Sequence, residues 1–213
     1  MKKAWAPAGA AIILALLATP VSAAPRPVSP TDGARVKSSL PVFRWVLPLG
    51  EVAAEISIAR LPRTGPDGAF PAENVVAADF LDPVAERWRP SRPLFAGTYW
   101  WRVSSTPDPA TGLDVEYSPV SEFTIPISLD VLRISGPVRR VVTVRWRGNV
   151  RRVSINLRMS SRGSVVWSAV QAASTAAPTR AVSTRFTVPA RYTGLLSGAS
   201  FTVGISARVA PGR

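Results

Sequence analysis

The sequence contains neither cysteine nor histidine. Thiol catalysis, catalytic triads that use histidine, disulfide cross-links and zinc sites built from these two residues are therefore all excluded. Lys37 is the only lysine beyond the first few residues, so a serine–lysine dyad has a single candidate. We therefore expect no enzymatic activity, no cofactor and no metal site, and a fold that is held together by its hydrophobic core alone.

Acidic residues are almost missing from the second half of the chain. Residues 127–213 contain 14 arginines, no lysine and one acid, Asp130, which gives a net charge of +13. Residues 24–126 contain 10 basic and 12 acidic side chains, a net charge of −2. The basic character therefore belongs to the second half, and such an asymmetry indicates an anionic partner rather than a particular fold.

Long hydrophobic runs are also scarce. The only one, residues 8–18, follows Lys2 and Lys3 and precedes the small residues Val21-Ser22-Ala23. This order is typical of a secretory signal peptide, and 11 apolar residues are fewer than the roughly 20 that a membrane-spanning helix needs. The sequence predicts a signal peptide over residues 1–23, cleaved near Ala23. We expect a secreted, extracellular or periplasmic protein with no transmembrane segment in the mature chain.

The rest of the sequence repeats itself at domain scale. Trp45 precedes Gly97 by 52 residues, and Trp146 precedes Gly198 by the same distance, within similar local sequences. Apolar and polar residues alternate around these positions, which is the pattern of strands with one buried face. We therefore predict an all-β fold of two tandem antiparallel β-sandwich domains, residues 24–126 and 127–213. The alternation places Trp45, Trp101 and Trp146 in the core.

The predicted strands differ in number between the two halves. The first half closes with a strand over 117–125, whereas nothing comparable follows the last predicted strand of the second half, 201–209. Residues 171–180 show no alternation and are predicted to form a loop, and Gly136-Pro137 is predicted to turn the chain. The second domain therefore either has an open sheet edge that could accept another strand, or forms a shorter sandwich that closes without one.

Four segments of the first half resemble a bacterial fibronectin type III-like domain, a member of the immunoglobulin-like β-sandwiches. They carry a turn at the start, a buried tryptophan, a Leu-x-x-Gly-Thr corner before an aromatic strand, and a closing strand: Pro30–Gly33, Phe43–Trp45, Leu94–Val103 and Tyr117–Ile125. The resemblance covers residues 28–126, and residues 127–213 share it less closely. It implies a two-sheet antiparallel sandwich used as a spacer, adhesive or binding module, without activity or cofactor.

Arginines of the second half form the candidate binding site. The predicted strands place Arg145 and Arg147 on one outward face, Arg185 on a neighbouring strand, and four more at the flanking turns. Guanidinium groups bind phosphate, sulfate and carboxylate through paired hydrogen bonds. The predicted polyanion-binding residues are Arg139, Arg140, Arg145, Arg147, Arg151, Arg152 and Arg185. The alternative is a solvated face in a protein that uses arginine in place of lysine.

These observations predict a secreted, non-catalytic binding or structural protein of the cell envelope, whose second domain contacts an anionic polymer or surface. Nucleic acid is possible but not favoured, because few aromatic residues are interleaved with the arginines. A first alternative is an assembly or adhesion subunit that binds a protein partner by strand addition at the open edge. A second is an accessory domain of a carbohydrate-active enzyme system, or such an enzyme itself, for which the candidate residues are two groups of acids: Asp79, Asp82 and Glu86, and Asp108, Asp114 and Glu116.

Overall fold

The structure is a computed structural model, and it describes residues 24–107 and 114–207. The predicted signal peptide, residues 1–23, lies outside the described residues, and so does the end of the last predicted strand. The described residues form β-strands together with two 3-10 helices, Ala72–Asn74 and Ala190–Gly198. None of their helices is long and apolar enough to cross a membrane.

The first half of the chain folds into two facing sheets. The strands are β1 (Arg26–Ser29), β2 (Ala34–Arg35), β3 (Phe43–Val46), β4 (Val52–Ala59), β5 (Val75–Phe80), β6 (Arg87–Trp88), β7 (Gly97–Thr106), β8 (Glu116–Tyr117) and β9 (Ser121–Ile125). One sheet has the order β1-β3-β6, and the other has the order β2-β9-β7-β4-β5 with β8 beside β7. All neighbours are antiparallel except β2 and β9. This is the two-sheet sandwich that the resemblance to fibronectin type III domains implies.

Aromatic rings fill the space between these two sheets. The Phe43 ring lies 5.0 Å from the Trp101 ring and 5.4 Å from the Phe123 ring, both edge-on. Trp45 is 2 % exposed and Trp101 is fully buried. The indole N–H of Trp101 donates a hydrogen bond to the carbonyl oxygen of Pro30 at 3.2 Å. The predicted burial of Trp45 and Trp101 is confirmed, since alternate residues of a strand must face the same layer.

The second half forms another pair of sheets. The strands are β10 (Leu129–Val138), β11 (Val141–Gly148), β12 (Arg152–Ser161), β13 (Ser164–Ser174), β14 (Val182–Thr187) and β15 (Ser200–Ser206). The strand orders of the two sheets are β10-β11-β14 and β13-β12-β15. Trp146, Leu157, Met159 and Phe186 are fully buried between them. The all-β sandwich fold is thus confirmed for both halves, while the division at residues 126 and 127 stays a prediction.

Two details of the second sandwich differ from the sequence prediction. Strand β13 continues to Ser174, where the chain was predicted to be a loop, and its last residues pair with the start of β12. Strand β10 runs past Gly136-Pro137, and the turn comes at Arg139 and Arg140, both at positive φ as in a type I′ turn. Both segments are held by backbone hydrogen bonds to a neighbouring strand. These bonds do not require side chains to alternate between apolar and polar, so the sequence pattern did not predict the two strand extensions.

Asn149 joins the two sandwiches at the segment that connects them. It is 2 % exposed, and its side-chain N–H₂ donates to the carbonyl oxygen of Pro126 at 2.8 Å. Its side-chain oxygen accepts from the backbone N–H of Ser128 at 2.8 Å. Its backbone oxygen accepts from the N–H of Ala96, in the first half, at 2.6 Å. Asn149 therefore holds the connecting segment through its side-chain amide and contacts the first half of the chain through its backbone carbonyl.

We expect Asn149→Ala to lower the free energy of unfolding by about 1–3 kcal/mol, because it leaves the Pro126 carbonyl and the Ser128 amide without their partner. Urea denaturation followed by tryptophan fluorescence measures the effect. Asn156→Ala is the matched control, since the side-chain oxygen of Asn156 has no hydrogen-bond partner, and we expect a change within about 0.5 kcal/mol. Equal losses in both variants would show that the Asn149 hydrogen bonds contribute nothing specific.

Candidate functional site

Three arginines lie side by side on the outer face of the β10-β11-β14 sheet. Arg133 on β10 stands directly opposite Arg145 on β11. Arg185 on β14 stands opposite Thr143, two residues from Arg145, and is therefore its diagonal neighbour. All three side chains are exposed, because Val144, Trp146 and Phe186 occupy the alternate, inward positions. We call this surface, made by Arg133, Arg145 and Arg185, the arginine face.

The arginine face has unbalanced positive charge. Like charges directly opposite one another on antiparallel strands repel and destabilise the sheet. Asp130 is the only acid in residues 127–213, and its carboxylate binds Arg147, with 3.0 Å between the arginine Nε and Oδ2. No carboxylate of the second sandwich is therefore left for Arg133, Arg145 or Arg185, and the face carries a net positive charge.

The turn arginines lie at the two ends of β11. Arg139 and Arg140 form the hairpin turn before it, roughly 16 Å along the strand from Arg145 at 3.3 Å per residue. Arg151 and Arg152 follow its other end. Arg151 faces the first sandwich, with its guanidinium carbon 4.6 Å from the centre of the Phe95 ring.

Of the seven predicted residues, the structure thus brings Arg145 and Arg185 together. Arg147 lies at one end of the same face, paired with Asp130, and the other four are spread over both ends of the sandwich.

Arg133 is not among the residues predicted from the sequence. The pairing of β10 with β11 has a register shift between Val131 and Arg133, so that Val131 lies opposite Trp146 and Arg133 opposite Arg145. The extra residue, Leu132, is a bulge that shifts the alternation by one position. A period-two pattern cannot reveal such a shift, although the charge of Arg133 next to a strand was visible in the sequence.

A cleft of about 500 Å³ lies between the two sandwiches. Arg60, Arg92 and Arg151 line it together with Trp88 and Tyr99. Burial raises the pKa of the Tyr99 hydroxyl, and the positive charges of Arg60 and Arg151 act against that rise. The cleft is therefore mixed aromatic and basic.

Of the acids proposed for carbohydrate chemistry, Asp79 and Asp82 have structural partners, and Asp108 lies outside the described residues. Asp79 lines the cleft and accepts a hydrogen bond from the indole N–H of Trp88 at 2.9 Å. Asp82 accepts from the backbone N–H of Val84 at 3.1 Å and so caps its own turn. Within residues 24–107 and 114–207, no cluster of three or more acids lies close enough to hold a metal ion.

Comparison with solved structures finds matches of low sequence identity. A two-domain fibronectin type III segment of chicken tenascin is similar over 86 % of this chain and 90 % of its own, at 12 % identity and a TM-score of 0.40. The chicken interferon gamma receptor alpha chain matches over 79 % and 84 %, at 12 % identity and a TM-score of 0.32. Latent PorU from Porphyromonas gingivalis matches 88 % of this chain at 13 % identity and a TM-score of 0.31, and this chain spans 19 % of PorU. No protein-family profile and no curated protein matches the sequence.

Replacing Arg133 by glutamate converts a repulsive cross-strand pair into an attractive one. We expect Arg133→Glu to raise the free energy of unfolding by about 0.2–1 kcal/mol at low salt, with a smaller gain at high salt. Urea denaturation at two salt concentrations measures it.

The matched control is Arg158→Glu on β12, whose neighbours Ser168 and Thr202 are uncharged. Both variants change the net charge equally, so a similar gain in both would mean that the Arg133–Arg145 contact is not itself destabilising.

Proposed function

We propose that this chain is a secreted, non-catalytic binding module of the cell envelope, and that it holds an anionic polymer against the arginine face. The observation that supports this proposal most directly is the pairing of Arg133 with Arg145. The sheet retains a repulsive contact there, while Asp130, the one acid of residues 127–213, pairs with Arg147. Secretion is supported by Lys2, the apolar run and the small residues up to Ala23.

The geometry of the sheet suits a polymer with closely spaced charges. Neighbouring strands lie about 4.8 Å apart, and residues on the same face of one strand repeat at about 6.6 Å. Adjacent phosphate, sulfate or carboxylate groups can therefore each meet a separate guanidinium group. Binding also relieves the repulsion between Arg133 and Arg145, so it is stronger than the sum of isolated surface contacts. The near-neutral first sandwich serves as a spacer or a protein contact.

The side chains around the arginine face favour an acidic envelope polymer over single-stranded nucleic acid. Proteins that bind single strands stack the bases on exposed aromatic rings. The outward residues of β11 and β14 beside the arginines are Thr143, Ser183 and Thr187, whereas Trp146 and Phe186 are buried. These strands can therefore bind anions by charge, but they present no exposed aromatic ring on which a base could stack.

Because the contacts are exposed ion pairs, binding should be lost well below molar salt. We expect the full mature chain to be retained on immobilised heparin, used as the polyanion probe, at low salt. The triple variant Arg133→Gln, Arg145→Gln, Arg185→Gln should bind at least about tenfold more weakly, since each exposed contact contributes up to about 1 kcal/mol.

The control is Arg158→Gln, Arg162→Gln, Arg191→Gln, which removes the same charge elsewhere on the second sandwich and should reduce affinity much less. Equal losses in the two triple variants, or retention that is independent of salt, would contradict a specific arginine face.

Asp130→Asn is expected to strengthen heparin binding, the opposite of the effect expected for the arginine variants. The substitution releases Arg147 from its ion pair and adds a fourth free guanidinium group to the end of the arginine face. We expect affinity for heparin to rise by about three- to fivefold, in line with one further exposed contact. Asp82→Asn on the first sandwich is the control and should leave the affinity almost unchanged. If the Asp130→Asn variant bound heparin no more tightly than the unmodified chain, the polymer would not bind at the arginine face.

A further inference from the structure

One edge of the second sandwich has no strand beside it in the described residues. In the first sandwich, β7 lies between β4 and β9. In the second, β15 pairs with β12 on one side, and no strand within 24–107 or 114–207 pairs with its other side. The two halves of the chain therefore provide an internal comparison between a covered and an uncovered strand.

The inward residues of β15 are less buried than those of β7. Tyr99, Trp101 and Val103 on β7 are at most 1 % exposed. Their counterparts on β15, Phe201, Val203 and Ile205, pack against the second core but are only partly buried.

Strand β10 contacts β15 and also carries exposed apolar side chains. Val131 lies opposite the buried Trp146 and is still 37 % exposed. The neighbouring bulge residue, Leu132, is 42 % exposed. An apolar strip therefore runs between β15 and β10.

Nothing in β15 protects its outer edge against pairing. Natural edge strands are usually shielded by lysine, proline or a bulge. Ser200–Ser206 contains no charged residue and no proline, and its pairing with β12 is regular along its whole length. The backbone N–H and C=O groups of the outer edge can therefore serve as a template for another strand.

We propose that this edge accepts an extended segment of a partner protein in which apolar residues alternate with acidic ones. The apolar residues would cover Phe201 and Val203 from the edge, and the acidic ones would point outward. An acidic partner is favoured because residues 127–213 carry a net charge of +13, with Arg158 on the outer face beside Thr202. A second copy of this edge would bring two such charged units together and is disfavoured by repulsion.

Strand β9 shows which sequence fits such a position. It covers the corresponding edge of β7, with Phe123 and Ile125 buried in the first core and Glu122 and Thr124 at the alternate, outward positions. A fluorescein-labelled peptide of residues 118–127, SPVSEFTIPI, is therefore a suitable probe. We expect it to bind the full mature chain at micromolar concentrations, measured by fluorescence anisotropy, and a scrambled peptide to bind at least tenfold more weakly.

Backbone methylation tests whether the peptide binds as a strand. Successive amides of an extended strand point to opposite sides, so only every second N–H can bond to β15. One peptide is N-methylated at positions 121, 123 and 125, and another at 122 and 124. We expect one of them to lose at least tenfold in affinity while the other stays within about threefold. Similar affinities for both would overturn the proposal.

The probe also tests the charge preference and separates this site from the arginine face. A Glu122→Lys peptide should bind at least about threefold more weakly than a Glu122→Gln peptide. The chain with Arg133→Gln, Arg145→Gln and Arg185→Gln should keep its affinity for the peptide within about twofold. A loss equal to its loss of heparin binding would mean that the peptide binds the arginine face through its charge, and this would overturn the strand-addition proposal alone.

Amide hydrogen exchange measures directly whether the outer-edge N–H groups of β15 are hydrogen-bonded. In the free protein, we expect outer-edge amides of β15 to exchange at least tenfold faster than amides of β7, and to slow when the peptide is added. Amides of β15 that are already as slow as those of β7 would show that the edge is covered without a partner. Protection that rises with protein concentration, together with dimers in analytical ultracentrifugation, would identify a second copy as the occupant. Either result would overturn the proposal.

Discussion

Burial of indole rings between two sheets is the constraint on which this protein depends. With no cysteine in the chain, no cross-link holds the layers together. Trp45 and Trp101 in the first sandwich and Trp146 in the second are at most 2 % exposed. Large aromatic side chains remove more apolar surface from water than any other residue type, so each of them contributes several kcal/mol. In each sandwich the two sheets cover these rings from both sides.

The same constraint determines which residues reach solvent. Trp146 is buried, so Arg145 and Arg147, its neighbours along β11, must face outward. The indole N–H of Trp146 donates to the hydroxyl of Thr184 on β14 at 3.1 Å, which ties the strand of Arg145 to the strand of Arg185. The arginine face is therefore carried by paired strands above a packed core, and its charges keep their spacing better than charges on a loop would.

The two candidate interactions of the second sandwich use different physics. The arginine face binds through electrostatic attraction, which salt weakens. Such attraction depends on the spacing of the anionic groups more than on their chemical identity. The β15 edge acts through backbone hydrogen bonds and the burial of apolar side chains, which read the conformation and pattern of a peptide. The arginines belong to the β10-β11-β14 sheet, whereas the backbone edge belongs to β15 of the other sheet.

Sequence alone determined the features that follow from alternation, namely the all-β fold, the burial of Trp45, Trp101 and Trp146, and the outward direction of Arg145 and Arg185. It could not determine that Arg133 faces Arg145, because a bulge at Leu132 shifts the register there. Nor could it show that Asp130 is used by Arg147, since ion pairing across strands depends on which residues the pairing sets side by side. Tertiary structure decided these points because register and strand order arise from contacts between distant parts of the chain.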